Sequence, residues 1–348
     1  MNLDNLLDKC IKTGELSRDD ILFLLNLYTK SDVDRLLQTG DAVRKACCGD
    51  AVHIRALIEF SNVCARHCNY CGLRAPNSNV VRYRMTPDEI VELAVYLNSK
   101  DLRTIVLQSG EDPYYTGEII ADIVKRIKQA TDTAITLCVG ERPYEDYKLW
   151  KEAGADRYLL RHETANRKFY GTLHPDSDFD NRMNCLKWLR ELGYQVGAGC
   201  MVGSPGQTIE DLADDIEFYR DFQPDMAGVG PYIPHPDTPF AGTETGTLEM
   251  TLKMVALTRI VTRNALLPAT TAIGSIEEMG REMALEAGAD VVMPNYTPLK
   301  YREHYEIYPN KRCISEDPEQ CHSCMRMRIL AIGRTVSTEQ GHSRKKAG

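Results

Sequence analysis

The sequence predicts an α/β protein built as a (β/α)8 barrel of TIM type, with a helical extension at residues 1–50 and a cysteine-containing wrap after the barrel. Three observations carry this reading. From Val52 onward, short apolar runs alternate with amphipathic segments about every 30 residues. Eight of the runs have strand character, and eight strand–helix units suit a closed barrel. The rhythm is absent before residue 51 and after residue 296. Strands alternating with helices imply a parallel sheet, because parallel strands need long crossovers. An open doubly wound sheet is the alternative, since a count of strands from periodicity can miss by one or two.

Residues 1–50 read as helices. Apolar residues recur at helical spacing through ILFLLNLY and VDRLL. Ser17 with Asp20, and Ser31 with Asp34, look like helix starts. The barrel is assigned to residues 51–296. Its strands are VHIRALIEF, TIVLQSG, AITLCVG, RYLLRHE, QVGAGCMVG, MAGVGPYI, LLPATTAI and VVMPN. Helical stretches lie between them, among them PDEIVELAVYLNSK, GEIIADIVKRIKQA, NRMNCLKWLRELG and IEDLADDIEFYRDF. The first follows Thr86-Pro87-Asp88-Glu89, a capping threonine, a proline at the first helical position and a glutamate three residues after the cap. Residues 297–348 begin with a Tyr-, Pro- and Cys-rich segment expected to wrap one end of the barrel. A last helix is expected around MRMRILAIG, then a basic tail, HSRKKAG, expected to be solvated.

The chain is 43% hydrophobic and 26% charged, with a formal net charge of −8. That acidity argues against sequence-independent nucleic-acid binding, which needs Lys and Arg on phosphates. No apolar run approaches the roughly 20 residues of a membrane span, and the N-terminus lacks the pattern of a secretory signal. A cytoplasmic protein is expected. In a reducing compartment its 12 cysteines are not disulfide candidates. Two tight groups, Cys64/Cys68/Cys71 and Cys313/Cys321/Cys324, point to metal.

Cys64, Cys68 and Cys71 form a C-x3-C-x2-C array directly after the first barrel strand. Loops after strands make the catalytic face of such a barrel. Three thiolates can hold three irons of a cubane, which needs four for saturation, so one iron stays open. Incomplete ligation marks catalytic rather than structural metal sites. A zinc site with His67 or a distant fourth ligand is the alternative, although zinc arrays usually pair two C-x2-C units.

The array, with an aromatic (Tyr70) before its last cysteine, resembles the radical S-adenosylmethionine superfamily. The resemblance implies a [4Fe–4S] cluster whose open iron binds the methionine moiety, and reductive cleavage to a 5′-deoxyadenosyl radical. It places Tyr70 beside the adenine. It places Ser109-Gly110-Glu111 facing the methionine amine, Glu163 on the ribose hydroxyls and Arg182 on the methionine carboxylate, which matches its forked geometry. Gly199 to Thr208 match a glycine-rich segment near the adenine. Arg161, Glu163 and Arg182 could alternatively be surface ion pairs.

Longer strings, among them IRALIEFSNVC, RYRMTPDEIV, TIVLQSGEDPYY, EAGADRYLLRHETAN, GPYIPHPDTP and PATTAIG, are similar to the HydE family of [FeFe]-hydrogenase maturases. Methylornithine synthase and biotin synthase are the near relatives. This resemblance implies a small organometallic substrate, an iron bearing carbonyl, cyanide and cysteine, with partner maturases and a low-potential electron donor. Polar residues on the strands fit a small anionic substrate: Arg55, Gln108, Thr136, Arg157, Thr270 and Thr271, expected to point inward or towards the mouth. Tyr305 and Tyr308 match family positions near the cofactor. Cys138 and Cys200 lie on strands three and five but strand four has no cysteine, which argues against a sulfur-donating cluster inside the barrel. Cys313, Cys321 and Cys324 look like a second, auxiliary site for a [2Fe–2S] or [4Fe–4S] cluster; zinc or free thiols are alternatives. An amino-acid mutase of the methylornithine-synthase type and a non-catalytic Fe–S scaffold are the competing functions.

Overall fold

The computed structural model describes residues 2–312, 314 and 318–345, with the backbone alone at residues 318–322. Helices begin where a short polar side chain accepts from the free N–H groups of a first turn. Asn2 caps α1 (Leu3–Lys12), Ser17 caps α2 (Arg18–Leu25) and Thr29 caps α3 (Lys30–Cys48). The Ser17–Asp20 capping box forms as expected. The Ser31–Asp34 start does not. Thr29 takes that role: its hydroxyl donates to Asp32 (2.8 Å) and accepts from the Asp32 N–H (3.2 Å), so Ser31 lies inside the first turn.

The first predicted strand, VHIRALIEF, is two: β1 (Ala51–Ile54) and β2 (Ala56–Ser61), broken at Arg55. Then come α4 (Pro87–Asn98), opened by the Thr86–Glu89 capping box, β3 (Thr104–Ser109), α5 (Gly117–Ala130) and β4 (Ala134–Cys138). They are followed by α6 (Tyr144–Glu152), β5 (Arg157–Leu159), α7 (Arg167–Leu173), α8 (Phe179–Glu191), β6 (Gln195–Val202), α9 (Ile209–Phe222) and β7 (Met226–Pro231). The chain continues through α10 (Leu248–Thr262), α11 (Thr271–Ile276), α12 (Gly280–Glu286), β8 (Val291–Val292), α13 (Leu299–Arg302), α14 (Pro318–Ala331) and β9 (Thr335–Val336). Among the described residues no helix is long and apolar enough to cross a membrane.

Strands β2 to β7 form one parallel sheet in sequential order. The circuit back to β2 is thinner. Isolated bridges join Met226 to Leu266, Val229 to Ala269, Pro268 to Val291 and Leu57 to Asn295, while β8 pairs with β1. The expected seventh strand, residues 266–273, survives only as bridges as far as Ala269; Thr270 is the cap position of α11 and Thr271 its first residue. A short apolar run does not by itself distinguish strand from helix. The thin sector is braced from outside by Arg259 on α10, fully buried and 3.1 Å from fully buried Asp290. Its guanidinium also donates to the carbonyls of Gly288, Ala265 and Arg263. Asp290 accepts from the Leu267 N–H at 2.7 Å. A buried pair of charges is tolerable only with such additional hydrogen bonds.

The N-terminal helices lie on the barrel flank. Arg18 bridges Asp214 (2.6 Å) and Glu217 (2.5 Å) on α9, and Gly40 on α3 sits so close to α10 that a Cβ there would fall 2.8 Å from that of Ala256. Of the basic tail, expected to be solvated, residues 342–345 are described; His342 and Arg344 are exposed, and the segment from β9 through Lys345 covers the barrel base. β9 pairs with β1, and the carbonyls of Gln340 and Gly341 accept from Arg157 (2.7 Å) and Arg55 (3.2 Å). Ser343 N–H donates to Gln195 (2.7 Å), and Lys345 reaches the Pro224 carbonyl (2.9 Å). Two buried guanidiniums depend on those carbonyls. Hydrogen bonds to charged groups contribute about 1.5–3 kcal/mol each, so truncation after Val336 should cost at least about 3 kcal/mol. Urea unfolding of the truncated apoprotein measures this; an unmoved midpoint would show the tail to be dispensable.

Candidate active site

The cysteines lie on a loop that leaves the C-terminal end of β2 and contains no helix or strand from Asn62 to Arg82. Its carbonyls therefore need other donors, and Arg82 supplies them: the guanidinium donates to Asn62 (2.7 Å), Leu73 (2.9 Å), Arg74 (2.8 Å) and Asn77 (3.2 Å). Buried Asn62 ties the start of the loop to the Val81 and His304 carbonyls (2.8 and 2.6 Å). Backbone bonds join Ala65 to Glu111 (3.0 Å), Asn69 to Leu173 (2.9 Å) and Gly72 to Ile307 (3.0 Å). Next to Arg82, Arg84 grips buried Asp112 through two nitrogens (2.7 and 3.0 Å), and Ser61 donates to the same carboxylate (2.6 Å).

Gly110 lies against this loop. A Cβ there would meet the Val63 carbonyl oxygen at 2.3 Å and the Cys64 Cβ at 2.7 Å. Ser109 donates to the Gly110 carbonyl (2.7 Å). The Glu111 carboxylate is engaged by Arg66 and the Glu141 N–H. Tyr70 packs in a small apolar group with Phe169, Leu173, Met201, Tyr232 and Phe240.

Glu163, Arg161 and Arg182 are not surface pairs. Glu163 is buried in the left-handed region at φ 64°, an uncommon conformation for a residue with a Cβ. Backbone bonds to Gly199 (2.8 Å) and from Met201 (3.0 Å) hold it there. Both its oxygens accept from Arg161 Nε at 3.0 Å. Arg182 donates to Glu141 (2.5 Å) and to the Arg161 carbonyl (2.5 Å). The sequence reading missed Glu141. It also missed His174, whose Nδ1 lies 3.2 Å from Cys68 Sγ. Arg82 and Arg84 could have been found, because they alternate within RYRMTP as ligands of one face do. His174 left no such signal.

The polar residues expected to contact substrate divide between the two ends of the barrel. Arg55 and Arg157 point inward at the base rather than the mouth, since Arg157 opens β5 and contacts Thr104, the first residue of β3 (3.1 Å). Neither forms an ion pair among the described residues, and Arg55 Nε has no partner. Buried Thr136 and Thr270 hydroxyls also lack partners, and Thr271 accepts from Arg281 (3.1 Å). Gln108 donates to Tyr305 (3.3 Å), and burial raises both Tyr305 and Tyr308 above the usual phenol range. Cys138 ends β4 beside Gln108 in register, its thiol pushed up to about 12 by burial. Of the second cysteine group, Cys313 and the Cys321 side chain lie outside the described residues; Cys324 is exposed.

The donor set fits an iron–sulfur cluster. Burial raises Cys68 well above an ordinary thiol, and Cys71 and Cys64 add to the rise by like-charge repulsion; Cys71 is pushed up to about 12. Three mutually repelling thiols become thiolates together only around a cationic centre, and binding then releases protons. Among the described residues, no three His, Cys, Asp or Glu groups converge on a single ion.

Fold and loop together define a radical S-adenosylmethionine enzyme, and residues 58–219 match the model of the Radical SAM superfamily. The chain is 51% identical over 331 residues to the [FeFe] hydrogenase maturase subunit HydE of Thermotoga maritima, covering 95% of each chain. It is 28% identical to 3-methylornithine synthase of Methanosarcina acetivorans, over 88% of this chain and 87% of that one. The crystal structure of methylornithine synthase superposes with a TM-score of 0.85 at 26% identity, covering 96% of this chain and 98% of that one. The maturase HydG of Carboxydothermus hydrogenoformans, at 21% identity and a TM-score of 0.81, shares the fold over 99% of this chain and 81% of its own. The chain belongs to the HydE family within the radical SAM superfamily, and that membership carries a [4Fe–4S] cluster and S-adenosylmethionine with it.

Overpacking a tight contact costs about 1–3 kcal/mol, and the rigid neighbours of Gly110 are the cysteine loop itself. Gly110→Ala should therefore displace Cys64 and lower the iron bound on anaerobic reconstitution, with the far-ultraviolet circular dichroism unchanged. Full iron loading would show that the loop yields without losing its ligand geometry.

Proposed function

We propose that this chain acts in assembly of the [FeFe]-hydrogenase active site, cleaving S-adenosylmethionine at a [4Fe–4S] cluster held by Cys64, Cys68 and Cys71. One observation carries the reading: on the loop after β2 three thiols, with no fourth beside them among the described residues, accompany a barrel whose interior keeps unpartnered polar atoms at Arg55, Thr136 and Thr270. Held by these three thiolates and reduced by a low-potential donor, such a cluster would supply the electron for cleavage of a C–S bond of S-adenosylmethionine.

The protein's own residues bind and orient. Tyr70 and its apolar group offer a wall for the adenine, and Ser109 and Gly110 offer backbone to the methionine amine. Glu163 is fixed where its carboxylate can accept from ribose hydroxyls. Arg182 keeps one guanidinium nitrogen beyond its bonds to Glu141 and Arg161, which we assign to the methionine carboxylate. Glu111 acts by anchoring Arg66 of the cysteine loop. Burying an unpaired charge is costly, so Arg55 and Arg157 favour an anionic guest in the barrel. Gln108, Thr270, Thr271, Tyr305 and Tyr308 form the proposed substrate wall, with Thr136, Arg55 and Arg157 set deeper, towards the barrel base. The substrate class is a small iron species bearing carbonyl, cyanide and cysteine, delivered by a partner maturase, with a low-potential electron donor. We place the catalytic unit at residues 51–296 and a peripheral auxiliary cluster at Cys313, Cys321 and Cys324. A cytoplasmic setting accords with these thiols.

The likeness to methylornithine synthase favours a second reading, an amino-acid mutase. Restored hydrogenase activity alongside the partner maturases supports the maturase; rearrangement of lysine supports the mutase. For the cofactor step, anaerobically reconstituted and reduced protein should release 5′-deoxyadenosine. Cys68→Ala should abolish that release and Cys321→Ala should largely spare it. Undiminished product from Cys68→Ala would refute the ligand assignment.

A further inference from the structure

His174 follows α7 at the C-cap, where its N–H donates to the Tyr170 carbonyl (2.8 Å). The residue is 2% exposed. It is clamped between Tyr170, stacked at 4.6 Å, and Tyr70, edge-on at 5.4 Å. Nδ1 faces Cys68 Sγ at 3.2 Å, and Nε2 is buried with no partner.

We propose that His174 donates a hydrogen bond from Nδ1 to the sulfur of Cys68 and thereby sets the reduction potential of the cluster. The inference rests on Cys68 being a cluster ligand. A ligating thiolate can only accept, so a proton on Nδ1 is attractive there and a bare lone pair would be repulsive. The opposite tautomer would also strand a buried N–H at Nε2, whereas this one strands a lone pair. The ring thus contributes one oriented N–H dipole to the ligand sulfur. Reduction adds negative charge to the cluster and its sulfurs, and hydrogen bonds to those sulfurs stabilise the reduced form. His174 is a positioning residue acting through Cys68.

The test is the midpoint potential of the reconstituted cluster, followed by electron paramagnetic resonance without S-adenosylmethionine. His174→Phe keeps an aromatic ring between the two tyrosines and removes the donor. Its midpoint should fall by roughly a tenfold change in the reduction equilibrium, about 59 mV for one electron. His174→Asn replaces the donor at the Nδ1 position and should recover most of the shift. An unmoved midpoint in the Phe variant, or equal shifts in both variants, would overturn the proposal. Should the Phe variant not load iron, native protein labelled with 15N-histidine decides. A weak nitrogen coupling to the reduced cluster that His174→Asn removes is expected, and its absence sinks the hydrogen bond. Failure of ligation by Cys68 is read separately, as native iron content and signal in Cys68→Ala.

Discussion

The site depends on one guanidinium. A loop that presents three thiols to a metal cluster has no repeating hydrogen bonds of its own, and every buried carbonyl in it needs a donor. Arg82 supplies four carbonyls at once, from a planar fork that holds their directions as well as their distances. Its charge also lies near Cys64 and Cys71, where it favours their thiolate forms. Removal of this side chain would take away loop geometry and ligand electrostatics together. The tethers to Glu111, Leu173 and Ile307 only position a loop that Arg82 has already shaped.

Beneath the loop, the barrel is uneven. One continuous ladder spans six strands, and the remaining sector relies on isolated bridges backed by Arg259 and Asp290. The strand ends of the ladder carry residues we assign to the cofactor: Ser109 at the end of β3 with Gly110 after it, and Glu163 beyond β5. The thin sector carries Thr270 and Thr271, where the chain turns from bridge to helix.

The cysteine spacing and the strand–helix alternation were legible because each is a local pattern: a ligand interval in one case and a hydrophobic period in the other. α10 was not legible as a helix. All of its residues from Thr251 to Thr262 are buried, and a helix covered all round shows no amphipathic period. The break at Arg55 was hidden inside an apolar run that reads equally well unbroken. The tail over the barrel base, Glu141 under Arg182 and His174 beside Cys68 are contacts between distant segments, through single side chains or backbone carbonyls. Such contacts leave no periodicity behind.

β9 lies beside β1, and the segment after it stoppers the base on Arg55 and Arg157. Chain synthesis runs in one direction, so β1 leaves the ribosome nearly the whole chain ahead of its neighbour. The cysteine loop emerges early as well, while the segments that shield it at Leu173 and Ile307 are still to be made. For most of translation the thiols are therefore exposed to oxidants and stray metals, with the barrel unable to close. Iron loading is best timed after residues 335–345 have sealed the base and the loop has its final shape.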